Sequence, residues 1–174
     1  MYAVMIDIET LGTHPGAIVL SVGITGFNRG MKEVYETEYI ELDTGEQYNL
    51  GMTADPRTVA WWMSQGEVAK RVFEEGKKTP VSELIAYMNE LGWENVEVWC
   101  NGTSFDFPIL RELFKRFGHE APWKYWMERD MRTVKALAGD THWAKHKVEA
   151  LVPHHAGEDS RSQAQTLVAV LREA

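Results

Sequence analysis

A chain of 174 residues, 44% hydrophobic and 25% charged, is long enough for one domain spanning 1–174 with its own core, and its composition excludes a disordered or membrane-embedded protein. The lone Cys100 excludes an internal disulfide, and neither an apolar run of about 18 residues nor a basic leader is present, so a cytoplasmic setting without membrane association is expected. A net charge of −8 excludes a general electrostatic grip on nucleic acid, although the charge is uneven: residues 1–100 carry 7 Lys/Arg against 16 Asp/Glu, and residues 101–147 carry 9 against 6.

The first predicted strand covers Tyr2 to Thr10, an apolar run interrupted by Asp7 and Glu9. Turn formers from Leu11 to Gly16 precede a strongly β stretch, Ala17 to Phe27, which predicts a hairpin-like return. After an expected Asn28-Arg29-Gly30 turn, Glu33 to Leu42 alternates charged with apolar or aromatic residues, as a half-exposed strand near a sheet edge does. Asp55-Pro56 marks a helix start with Val59, Trp62 and Met63 at helical spacing, and 80–91 repeats the pattern through Val81, Leu84, Ile85 and Met88. Val96 to Cys100 reads as a fourth strand ending at Asn101-Gly102, followed by a helix from Phe107 to a stop at Gly118. A fifth strand is expected around Lys124 to Arg129, then a helix over 132–137 and a last helix over 160–171. The order predicts an α/β fold, a mixed five-stranded sheet flanked by helices, with ligands at the carboxyl ends of its strands where the topology switches.

Asp7 and Glu9 stand two apart on a strand, so they share a face, while Val4, Ile6 and Ile8 occupy the other. Two neighbouring carboxylates in an apolar strand cost several kcal/mol unless one keeps its proton or a cation lies between them. A divalent metal ion meets that need. The strand-four turn brings Asp106 towards the same crevice, and Asp159 opens the last predicted helix; as isolated residues, either Asp equally suits a helix cap, as does Asp130. Of the six histidines, His154 and His155 precede Asp159, whereas His14, His119, His142 and His146 belong to no pattern and are expected at the surface. Trp62 and Trp99 are expected to pack. Trp123, Trp126 and Trp143, among Lys124, Arg129, Arg132, Lys145 and Lys147, suggest a strand-binding side.

Three stretches taken together resemble the DEDDh 3′-to-5′ exonucleases of the ribonuclease H-like fold, which include ribonuclease T, oligoribonuclease and proofreading exonucleases. They are Asp7-Ile8-Glu9-Thr10, Asn101-Gly102-Thr103-Ser104-Phe105-Asp106 and His154-His155-Ala156-Gly157-Glu158-Asp159, spanning most of the chain. The small size and Ala60-Trp61-Trp62 are most similar to a compact bacterial and phage exoribonuclease branch.

The resemblance implies two Mg²⁺ or Mn²⁺ ions held by Asp7, Glu9, Asp106 and Asp159, with Asp7 bridging them. It further implies His154 as general base, its register with Ala156 and Asp159 favouring it over the neighbouring His155. Thr10, Leu11, Asn101 and Phe105 become candidate substrate contacts. The implied activity is hydrolysis of single-stranded RNA or DNA from the 3′ end to nucleoside 5′-monophosphates, RNA favoured, and relatives make a homodimer an assembly to consider. Two other readings stay open: a nucleic-acid-binding module without turnover, and a metal-dependent phosphatase or pyrophosphatase acting on free nucleotides.

Overall fold

The computed structural model describes residues 2–28, 30, 33–74 and 78–172. Its single sheet has strand order β3-β2-β1-β4-β5, built from β1 (Tyr2–Thr10), β2 (Val19–Asn28), β3 (Glu33–Glu41), β4 (Glu97–Cys100) and β5 (Glu128–Asp130). The first three strands form an antiparallel meander, and β4 and β5 run parallel to β1. The expected hairpin return, the edge position of β3 and the parallel pairing of β1 with β4 all appear. Position 29 of the expected turn lies outside the described residues.

Among the described residues seven helices accompany the sheet: α1 (Thr44–Asn49), α2 (Pro56–Ser64), α3 (Val81–Glu90), α4 (Asp106–Arg116), α5 (Met131–Ala138), α6 (Asp140–His146) and α7 (Ala156–Val170). The alternation along β1 sorts its side chains between two cores. Val4, Ile6 and Ile8 join the buried stripe of α3 and the inner face of α4, whereas Ala3 and Met5 join Trp99, Met131, Trp143 and Leu167. In α3 that stripe is Val81, Leu84, Ile85 and Met88, each nearly inaccessible and each stabilising the fold by about 1.5–3 kcal/mol. Asp7 and Glu9 extend the second face, beneath α7.

The sequence-based elements need amendment in three places. The segment at 124–129 is a short 3₁₀ turn at Tyr125–Met127 followed by a three-residue strand that ends on Asp130. Asp130 is the helix cap its sequence suggests, its carboxylate accepting from the Thr133 backbone N–H at 3.0 Å. Helices α1 and α6 lack an apolar stripe long enough to read. Finally, α7 starts at Ala156 rather than near 160.

Tertiary packing explains that early start. Gly23 on β2 faces the first turn of α7, and a Cβ there would lie 1.9 Å from the Ala156 carbonyl oxygen. The helix therefore sits directly on the sheet beside Asp7, the register partner of Gly23. Buried hydroxyls clamp it: Ser160 Oγ lies 2.9 Å from Thr25 Oγ1, which lies 2.8 Å from Thr37 Oγ1.

Candidate active site

β4 pairs with β1 only from Ala3 to Met5 and then turns away at Asn101. Beyond that level β1 keeps a neighbour on one side, β2, so Asp7 and Glu9 stand at the open crevice where the sheet changes from antiparallel to parallel. This is the switch-point position at which α/β sheets take ligands. Asp106, the first residue of α4, enters the crevice from the β4 side, and Asp159, in the first turn of α7, enters from above.

Asp7, Glu9 and Asp159 each offer an oxygen, and these oxygens lie within 4.8 Å of one another. Asp106 stands outside that tight set but close enough for its charge to act on Asp7 and Glu9. Burial, with the charges of Asp106, Glu9 and Asp159, holds the Asp7 carboxyl well above the usual carboxylate range. Burial and the charges of Asp159 and Asp106 push Glu9 to about 8. Burial lifts Asp106 to about 7, against hydrogen bonds from its own backbone, the Cys100 thiol and the Ile8 backbone, and against the Arg132 charge. Asp159 is raised by burial and held back chiefly by His154. Such a crowd of acids whose charged forms are disfavoured by burial, all hard oxygen donors, fits Mg²⁺ or Mn²⁺.

The adjacent histidines have different environments. His155 is the N-cap of α7: its Nδ1 accepts from the Glu158 backbone N–H at 3.2 Å, and its ring stacks on Tyr39 at 3.9 Å between centroids. His154 has a left-handed backbone, φ 61°, and its ring meets the Trp61 ring edge-to-face at 4.8 Å. The cap of α7 is thus His155, and Asp159, one turn inside, is not a capping residue.

The four candidate substrate contacts separate. Thr10 and Phe105 line a cleft of about 440 Å³ beside Glu9 and Trp61, although the Thr10 hydroxyl is committed to the Gly12 carbonyl at 2.6 Å. Leu11 is half-buried against the core. Asn101 lines a different cavity, of about 300 Å³, that borders Asp159. The expected strand-binding side also divides: Trp123 and Trp143 are buried, leaving Trp126 exposed at the amino end of β5, away from the acids. His142 and His146 are half-buried with rings 4.8 Å apart, contrary to the surface expectation.

Three residues join the site that motif reading left aside. Trp61, 41% exposed, forms a wall of the cleft, held by the neighbouring Trp62, whose indole N–H donates to the Thr10 carbonyl at 2.9 Å. Gln163 donates from Nε2 to Asp7 Oδ1 at 2.7 Å. It lies four residues after Asp159, so helical spacing would have placed it on the same face had α7 been started early enough. Gly23 carried no readable signal, because its need arises from Ala156, 133 positions distant in the chain, and is set by contact alone.

The family model of the 3′-5′ exoribonuclease Rv2179c-like domain matches residues 2–171. The chain belongs to this family. An exodeoxyribonuclease of Enterobacteria phage T4 is 29% identical, the match covering 79% of this chain and 72% of that protein. Among solved structures, the nuclease domain of 3′hExo, a DEDDh family member bound to rAMP, is similar over 99% of this chain and 92% of its own, with TM-score 0.62 and 12% identity. The zinc-bound E. coli ExoI–ssDNA complex matches over 99% of this chain with TM-score 0.61 and 16% identity. The chain spans about two fifths of the exonuclease I chains, covering 40% of that one. At such identities the likeness carries the fold: the mixed five-stranded sheet of this family member is that of ribonuclease H-like DEDDh exonucleases.

Proposed function

We propose that this family member is a single-domain, metal-dependent exonuclease that removes nucleoside 5′-monophosphates from the 3′ ends of single strands, RNA before DNA. The observation that carries the reading is the meeting of Asp7, Glu9 and Asp159 within 4.8 Å at the mouth of an aromatic-walled cleft. The family description supports RNA as the favoured polymer, while the phage relative's name points to DNA.

Asp7, Glu9 and Asp159 would hold one divalent ion, and Asp106, whose charge reaches Asp7, would help to hold a second. Bound ions supply a polarised water and neutralise charge developing on the phosphate. Trp61 and Phe105 embrace the terminal nucleotide beside Glu9. His154, oriented by the edge of Trp61 and near enough to act on Asp159, accepts the proton of the attacking water on its imidazole. His155, engaged as the helix cap, fixes the loop that presents it.

Digestion of 5′-labelled single-stranded RNA and DNA of several lengths, with Mg²⁺, Mn²⁺ or chelator, tests the whole reading. Stepwise shortening from the 3′ end that stops in chelator is expected, faster on RNA. Binding without shortening, or cleavage of free nucleotides alone, would overturn it.

A further inference from the structure

The acids stand between two hollows. Glu9 borders the Trp61–Phe105 cleft, and Asp159 borders the cavity between α5, α6 and α7. That second cavity has Asn101 at the acidic cluster and the side chains of Lys135, Lys147 and Trp143 in its walls. The Lys135 ammonium lies 6.0 Å over the Trp143 ring, which holds a charged group against that aromatic face of the cavity. Lys147 pairs with Glu149 at 2.6 Å, but both side chains are at least half exposed, so exchanging that partner for another anion costs little.

Arg132 extends this row of cations towards the acids. It stands three residues before Lys135 on α5, hence on the same side of the helix. Its guanidinium lies against Gly102, where a Cβ would come within 3.2 Å of Cζ and where φ is 123°, a backbone suited to glycine. Its charge also reaches Asp106. In a chain of net charge −8, a row of three cations leading away from a four-acid cluster is a local reversal of sign.

We propose that this α5–α7 groove holds the phosphodiesters upstream of the bond being cut, with Arg132, Lys135 and Lys147 as their contacts. The proposal rests on the exonuclease reading for its polarity: the terminal nucleotide fills the Trp61–Phe105 cleft, the scissile phosphate lies at the acids, and the preceding nucleotides pass over α5. A dinucleotide, with one internal phosphodiester, engages the acids and leaves the groove empty, so length dependence is the property the groove creates.

The test is binding of a fluorescein-labelled eight-nucleotide RNA with phosphorothioate terminal linkages, followed by anisotropy in Ca²⁺ from 50 to 200 mM NaCl, with unlabelled dinucleotide as competitor. The Lys135→Ala/Lys147→Ala double variant should bind the eight-mer roughly tenfold more weakly and lower its salt slope by about 1.4, near 0.7 per lost phosphate contact. Dinucleotide affinity should change by less than about twofold, as expected if both lysines touch only upstream phosphates. Arg132→Lys should weaken the eight-mer less than Arg132→Ala. Equal losses on both ligands, or an unchanged salt slope, would overturn the groove. Hydrolysis of the p-nitrophenyl ester of thymidine 5′-monophosphate by the unaltered protein in Mn²⁺ is a separate arm: its absence, with the binding results as expected, would sink the exonuclease reading and leave the groove standing.

Discussion

At the carboxyl ends of β1 and β4, four acids crowd a crevice flanked by two moderate hollows. At the amino ends of β4 and β5 lies a larger cavity, about 510 Å³, with Trp93, Trp126 and Met127 in its walls and Glu94 and Lys124 as its charged residues. The far end has more room and more aromatic surface, and Tyr125 and Trp126 there are 70% and 60% exposed. Yet its two charges have opposite sign. At the acidic end like charges are forced together by a helix seated on Gly23 and by the register of a buried strand. On the proposed function, size and stacking surface mark the wrong end of this sheet. What distinguishes the proposed end is electrostatic work: the fold sustains an arrangement of crowded carboxylates that a cation would relieve.

The strongest challenge to that contrast is Asp7→Ala. Hydrolysis is expected to fall to below roughly 10⁻³ of the unaltered rate, since the residue at the centre of the cluster is lost. Divalent-ion binding measured by calorimetry should weaken with it, while the metal-free melting temperature stays level or rises as repulsion is relieved. Full activity in a folded Asp7→Ala protein would refute the assignment of the acidic end.

The two histidines come next. His154→Ala should slow catalysis by roughly 10²–10⁴-fold with metal affinity preserved, the range for loss of a general base. His155→Ala should act mainly on stability, by about 1 kcal/mol for a lost helix cap, with a smaller effect on rate. Steady-state kinetics and thermal melts on both variants decide between them; a reversed pattern would mean that the capping ring, not the Trp61-facing one, does the chemistry.

A third expectation concerns pH. In the folded, metal-free protein Glu9 is held at about 8 and Asp106 at about 7, whereas unfolded carboxylates titrate near 4. Between those limits the folded state binds more protons, so stability is fullest at the acidic end of the window and falls as pH rises through 7 to 8. Melts in EDTA should drop by several degrees from pH 5 to pH 8, each kcal/mol being worth about 2–4 °C for a chain this size. Mn²⁺ should reduce that drop; a melting temperature in EDTA that climbs over the same range would contradict the acids' crowding.

The smallest effect is expected from the far end. Trp126→Ala should leave the rate on single-stranded RNA within about twofold, because a solvent-exposed ring remote from the chemistry contributes little there. A tenfold rise in KM would make that end part of the substrate path and erase the contrast.

Much of this was legible in the residues themselves. Period-two alternation placed Asp7 and Glu9 on one face of β1 and the aliphatic residues on the other, because adjacent side chains of a strand must point opposite ways. The turn after Cys100 and the pattern of Phe107 to Phe117 located Asp106 at a helix start for equally local reasons. Contact settled the rest. Whether His154 or His155 caps α7 depends on Tyr39 and on the helix beginning at Ala156, and that beginning depends on a missing Cβ at Gly23. Trp123 and Trp143 look the same in sequence as Trp126, yet only packing against Phe107, Phe114 and Met131 draws them inside. The approach of Gln163 to Asp7 joins residues 156 positions apart, a pairing that no local rule encodes and that only the seating of α7 on β1 and β2 produces.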